Sequence, residues 1–264
     1  MTRIVYIFIC GVLLSSCKES DKTQNEQQIE SKVLTGESIL EKSIQFHDKK
    51  NEWKTANFKV IIEEPRIGNQ FRHSVVELDN ESNYFKLQRN RGDSISTHIS
   101  QDNNYSSLLN GQIITDSLLI KKYRLDPNRN KGYHRFYKTL LGLPMSLDDE
   151  NKTIKQVDEI TFNSIQSYKI TIELEESIAG GTVLNTIKSF KNRKESLFSK
   201  DWNLYVAKND FRIIGLEMIY LDDPNAGGRI IFEGDFNINN ISIPRIRHWR
   251  ELDNEYRGSD IIME

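Results

Sequence analysis

The run from Asp201 to Trp249 alternates apolar and polar residues four times with a turn signal after each, and no other stretch limits the fold as strongly. Trp202, Leu204 and Val206 alternate before Asn209-Asp210. Ile213 to Tyr220 is apolar before Asp222-Asp223-Pro224 and Gly227-Gly228, both read as turns, and Ile230 to Phe232 and Ile241 to Trp249 complete the series. Side chains on a strand change faces at every residue, so a half-buried sheet writes a period of two that a helix does not. The run therefore predicts the last strands of an antiparallel meander.

Upstream, Phe58 to Glu63 is rich in β-branched residues and stops at Pro65, and Phe71 to Leu78, Tyr84 to Gln88 and Ser94 to Ser100 continue as strands between polar turns. Tyr105 to Thr115 carries Asn110-Gly111 at its middle, the dipeptide of a tight hairpin. Thr153 to Thr161 and Tyr168 to Glu175 form a further pair about Asn163-Ser164. Two stretches change period. Ile39, Leu40, Ser43 and Ile44 fall at helical spacing behind a capping box of Ser38 and Glu41, which predicts a helix to about Asn51. Between Lys131 and Leu143 the residues Tyr133, Phe136, Tyr137, Leu140 and Leu141 share one helical face, and Gly142-Leu143-Pro144 ends the helix. The expected fold is mostly β with added helices (α+β): an open, strongly curved antiparallel sheet or half-barrel with an N-terminal helix and an inserted amphipathic helix. A sheet so curved leaves an opening that needs an apolar cover. The inserted helix is either a lid, in which case those five residues are the ligand-binding candidates, or the cap of a filled core.

The front of the chain reads as a targeting segment. Arg3 precedes an apolar stretch from Ile4 to Leu14, too short for a membrane-spanning helix of roughly 20 residues. Leu14-Ser15-Ser16-Cys17 resembles the bacterial lipobox, in which the signal is cut before an acylated cysteine. Cys10 does not fit that pattern, because Ile9 is not the small residue required before the cut. The expectation is a signal peptide over 1–16, lipidation at Cys17, a flexible tether over 17–36 and one domain over 37–264. Acyl chains on Cys17 would bury methylenes at about 0.8 kcal/mol each and hold the protein on a membrane. Both cysteines lie within the first seventeen residues, which leaves the folded body without disulfide or thiolate chemistry.

With 36 basic and 38 acidic residues mixed along the chain, no positive field draws nucleic acid. The basic stretch over 177–200 reads as an excursion that either meets anionic headgroups or is a solvated loop. His47, His73, His98, His134 and His248 are scattered singly, without the spacing of metal ligands. No Gly-x-Ser-x-Gly elbow or phosphate loop is present, and Glu63-Glu64, Asp148-Asp149-Glu150 and Asp222-Asp223 sit at strand ends or turns where solvation explains them. No catalytic residue, metal or cofactor is expected.

Leu141-Gly142-Leu143-Pro144-Met145 with Leu147-Asp148-Asp149, Trp202-Asn203-Leu204-Tyr205, Ile241-Ser242-Ile243-Pro244-Arg245-Ile246-Arg247-His248-Trp249 and the Tyr256-Arg257-Gly258-Ser259-Asp260 ending resemble, in order and spacing, a family of uncharacterised Gram-negative lipoproteins. More distantly, the pattern is similar to the carriers and receptors that move lipoproteins across the periplasm. That resemblance implies a half-barrel closed by helices over an apolar cavity that takes acyl chains, and no catalytic residues. The function expected is a lipoprotein anchored to the outer membrane through Cys17 that binds a hydrophobic or lipid-like ligand without chemistry. The alternative is an envelope module with a filled core that contacts a protein partner. A polysaccharide-acting enzyme stands third.

Overall fold

The first and last strands of the sequence lie side by side in the middle of one sheet. The structure, a computed structural model, describes residues 34–68, 71–175, 198–220 and 223–263. The expected signal, Cys17 and most of the tether and of the 177–200 excursion fall outside the described residues. Twelve strands run as β1 Asn57–Glu63, β2 His73–Asp79, β3 Tyr84–Arg91, β4 Ser94–Gln101, β5 Asn104–Leu109, β6 Lys152–Phe162, β7 Ile165–Leu174, β8 Phe198–Ala207, β9 Ile213–Tyr220, β10 Asp223–Ile238, β11 Ile241–Glu251 and β12 Tyr256–Met263. They form a single sheet in the order β5-β4-β3-β2-β1-β12-β11-β10-β9-β8-β7-β6. Every pairing is antiparallel, and the sheet is open and curved as the sequence predicts. β1 and β12 meet through Ile61↔Met263, Ile62↔Ile262 and Glu63↔Ile261.

This order fixes where the helices lie. The chain meanders outward from β1 to the β5 edge, and must then reach β6 at the opposite edge before it can meander back to β12. The connection carries α2, Ser117–Tyr123, and α3, Asn130–Leu141, and α3 packs over the inner face of the sheet. The N-terminal α1, Gly36–His47, packs on the same face toward β6 and β11. The inner face alternates as a half-buried sheet should: Phe58, Val60 and Ile62 on β1, Val76 and Leu78 on β2, Phe85 and Leu87 on β3 are all buried, between neighbours that are exposed or half-buried.

Local chemistry departs from the sequence reading at several points. The α1 cap is Thr35, whose Oγ1 accepts from the Ser38 amide at 3.2 Å, so the helix starts a turn before the Ser38–Glu41 box. It stops at His47 rather than near Asn51, because the Asp48 carboxylate accepts from the amides of Glu52 and Trp53 at 2.9 and 2.8 Å and turns the chain. Asn110 and Gly111 take the two positive φ values of a hairpin turn, 50° and 80°. Only Leu109↔Gln112 pairs beyond it, however, since the chain leaves for α2, which Asp116 caps. Gly227-Gly228 is not a turn but part of β10, where a Cβ on Gly227 would stand 2.2 Å from the Met218 carbonyl oxygen. The strand approach there requires glycine. Asn163-Ser164 does turn the β6–β7 hairpin, with φ of 46° and 66°.

Trp202, on β8, is 1% exposed and faces the main core. Trp202→Ala should therefore cost about 3–5 kcal/mol in urea melts monitored by β-sheet circular dichroism, and a loss under about 1 kcal/mol would contradict its place in the core.

Candidate functional site

α3 meets the sheet through side chains alone: among the described residues no backbone hydrogen bond joins it to a strand. Its N-terminus is held by Asn130, whose Nδ2 donates to the carbonyls of Ile99 at 3.1 Å and Ser106 at 2.6 Å. Tyr133, Phe136, Tyr137, Leu140 and Leu141 all point into the main core and are 2–6% exposed. Phe136 stacks on Trp249 with ring centroids 6.5 Å apart, Tyr137 on Phe85 at 5.9 Å, and Tyr133 tilts over His98 at 4.9 Å. Accessible area this small means that, as α3 lies here, these side chains border no void large enough for a ligand. A hollow of about 260 Å³ lies on the outer flank of α3, but Ser100, His134, Arg135, Lys138 and Glu150 make its lining polar. Gly142 ends the helix against Trp53, where a Cβ would stand 2.1 Å from the indole ring.

Beneath α3 the inner face is not wholly apolar. Inward-facing positions on neighbouring strands place a band of charge across the sheet: Arg247 opposite Asp260, and Ser74 opposite Arg89. Glu64, just past the end of β1, lies between the two pairs. Arg89 is 1% exposed and donates from Nε to Ser74 Oγ at 3.1 Å and from Nη2 to the Tyr137 hydroxyl. Glu64, also 1% exposed, accepts from Ser74 and is paired with Arg72 and, at 3.5 Å, with Arg89. Asp260 accepts from Trp249 Nε1 at 2.8 Å and pairs with Arg66. Arg247 is the exception. It is 2% exposed, its Nη2 reaches the Leu140 carbonyl at 3.4 Å, and its Nε and Nη1 find no partner.

The titration behaviour follows from this crowding. Burial alone would push the Glu64 carboxyl up, but the guanidinium groups of Arg89, Arg72 and Arg66 outweigh it and hold Glu64 at about 2. Burial pulls the Arg247 guanidinium down to about 10, against weaker support from Asp260. Burial also acts first on Arg89, but Tyr137 and Glu64 beside it raise it overall. His98 and His134 are lowered to about 4 by burial, with Arg89 adding to the effect on His98 and Lys138 on His134, so both are neutral near pH 7. His47 is likewise lowered by burial. Its Nε2 accepts from the Ile213 amide and its Nδ1 donates to the Ser242 carbonyl, a structural bond between α1 and the sheet.

Glu64 thus corrects the sequence reading, which put Glu63-Glu64 at a solvated strand end: Glu64 is a buried carboxylate among arginines. Arg66, Arg72, Arg89, Arg247 and Asp260 were not picked out as site residues. Their signal was phase, since Arg247 shares the parity of Ile243 and Trp249, and Arg89 that of Phe85 and Leu87. Asp148, Asp149 and Glu150 pair with Lys54, Lys138 and Arg135. Among the described residues, no three His, Cys, Asp or Glu side chains converge as metal ligands would, and no helix is long and apolar enough to cross a membrane.

A curved antiparallel sheet crossed on its inner face by an inserted helix defines a half-barrel of the kind found among lipoprotein-sorting proteins. The chain belongs to DUF6503, a family of unknown function, which it matches over residues 2–263. A crystallised domain from Vibrio parahaemolyticus, assigned to outer membrane lipoprotein sorting, is similar with a TM-score of 0.50 and 9% identity, covering 85% of this chain and 90% of that one. A LolA superfamily protein from Nitrosomonas europaea (TM-score 0.46, 11% identity, 88% and 92% covered) and a DUF1329 family protein from Desulfovibrio piger (0.47, 9%, 86% and 91%) also align. No curated protein is similar in sequence. The likeness to the Vibrio domain concerns the fold, and there it agrees with the resemblance drawn from the sequence.

The depressed Glu64 carboxyl sets an acid limb for stability. Because its folded value lies below the ordinary 4.5, its contribution is complete above that value and is lost as pH falls toward about 2. Urea melts at pH 5 and 2.5 should show wild type losing about 2 kcal/mol more than Glu64→Gln. Equal losses would place Glu64 outside the ion-pair network.

Proposed function

We propose that this protein is a lipoprotein anchored to the outer membrane through Cys17, and that its half-barrel binds a hydrophobic or lipid-like ligand non-covalently. Tyr133, Phe136, Tyr137, Leu140 and Leu141 form the apolar wall that the ligand meets when α3 lifts from the sheet. The observation that carries this reading is the attachment of α3. The helix crosses the mouth of a curved sheet and is held there by side chains, not by the backbone ladder that makes strands costly to move. Part of the inner face is covered by α1, which packs toward β6 and β11, rather than by α3. On this reading that cover keeps the sheet folded when α3 leaves. The fold shared with the Vibrio lipoprotein-sorting domain supports the same reading.

A second reading has its own support. The five α3 side chains are as buried as any core residue, which suits an envelope module with a filled interior whose sheet edges contact a protein partner. Uptake decides between them. The purified chain should take up a fluorescent fatty acid saturably and carry co-purified lipid in native mass spectra. Phe136→Ser with Leu140→Ser should abolish uptake while the β-sheet circular dichroism survives. If the pair unfolds the protein, as the loss of two core residues at about 2–5 kcal/mol each would do, α3 is a core plug. Absence of both uptake and bound lipid in the wild type would establish the interaction module instead.

The anchor has a separate test. Cys17→Ser should abolish metabolic labelling by a palmitate analogue and release the protein from the membrane fraction. Continued labelling of the serine variant would overturn lipidation at Cys17.

A further inference from the structure

The charged band under α3 is unbalanced. Among the described residues, Arg66, Arg72, Arg89 and Arg247 face two carboxylates, Glu64 and Asp260. A buried charge without a partner is expensive, and an apolar residue in its place is often neutral or better for stability, so stability alone does not account for Arg247. The Tyr137 hydroxyl is the point on which the excess converges. It accepts from Arg89 and lies within the electrostatic reach of Arg66, Arg72 and Arg247. Beside it, the Leu140 carbonyl takes the single long bond that Arg247 makes. Both of these weak acceptors, a phenol and a peptide oxygen, belong to α3. When α3 lifts they leave together, and guanidinium N–H groups suited to paired oxygens are uncovered on an apolar bed of Phe85, Leu87 and Trp249.

We infer that the ligand taken under α3 is an acidic amphiphile, whose headgroup oxygens replace the Tyr137 hydroxyl and the Leu140 carbonyl among these arginines while its tail lies on the apolar inner face. This rests on the carrier reading above and names the class of ligand it serves. The end of the sheet at which the arginines lie is also its most apolar rim. There Ile67 and Phe71 between β1 and β2, Ile95 at the start of β4, and Ile113 and Leu118 beyond β5 are exposed by 61, 57, 44, 79 and 76%. That apolar rim would rest against a membrane surface, with the arginines behind it to receive the headgroup.

The test compares matched ligands by displacement of an uncharged fluorescent lipid probe from the purified full chain. Palmitic acid is set against its methyl ester, and lysophosphatidic acid against lysophosphatidylcholine. Wild type should favour at least one anionic member over its counterpart by tenfold or more. Preference confined to palmitic acid identifies a carboxylate site, and preference confined to lysophosphatidic acid a phosphate site. Arg247→Met, which removes an unpaired buried charge and keeps the volume, should reduce that preference at least tenfold. Tyr137→Phe should raise it, because the competing hydroxyl is gone, whereas a purely structural phenol would weaken both members of a pair alike. Equal binding within both pairs overturns the inference and leaves the carrier reading standing. Displacement of the bound probe by none of the four ligands likewise overturns only the inference, whereas failure of the probe itself to bind overturns both.

Discussion

Three residue pairs between β1 and β12, continued by the Arg66↔Gly258 bridge, join the two halves of this sheet. Everything else in the architecture depends on that seam. With the first and last strands joined in the middle, each meander must end at an outer edge, and the chain between β5 and β6 has to cross the whole width of the sheet. A right-twisted sheet of twelve strands curls, so the shortest way across runs over its concave side. The amphipathic period of residues 133–141 is what allows the crossing to be buried rather than looped through solvent.

The crossing brings together groups that the sheet would otherwise keep apart. An apolar concavity filled only by Phe136, Leu140 and Leu141 would make α3 a permanent part of the core. The arginine band gives the interface a different character. Hydrogen bonds from Arg89 to Tyr137 and from Arg247 to Leu140 stabilise the closed arrangement, yet each satisfies a guanidinium less well than a carboxylate or phosphate would. Under the proposed reading, the helix stays seated until a ligand with a better acceptor displaces these bonds.

Much of this was legible in the sequence, for identifiable reasons. The meander of β8, β9 and β11 and the helix over Tyr133 to Leu141 are marked by apolar runs and periods between turn signals, and both formed where these predict. β12 was missed as a strand because Gly258 and Asp260 interrupt its alternation, and Gly258, with φ of 143° and no room beside Pro65, is there for backbone geometry. Gly227-Gly228 misled in the opposite sense, since close strand contact and a turn both select glycine. The arginine band was hidden by a habit of composition: a charged residue between apolar ones is read as facing water, although its parity along Arg247-His248-Trp249 or Phe85-Lys86-Leu87-Gln88-Arg89 puts it inside. Which arginine would find which carboxylate depends on strand order, and no single sequence carries that.

The central seam also decides in what order such a chain can fold. Both meanders are made of neighbours in sequence and can assemble as soon as each is complete, but β1 has to wait for β12, which follows all the other strands named here in the chain. Until then β1 and β11 each present a bare row of amides and carbonyls in the middle of the future sheet, the kind of edge that other chains pair with. Two half-sheets with complementary open edges can also pair between molecules, each chain lending its partner the half that its own seam has not yet engaged. For this fold the hazard of exchanged dimers is greatest during biogenesis, and it ends when that seam closes.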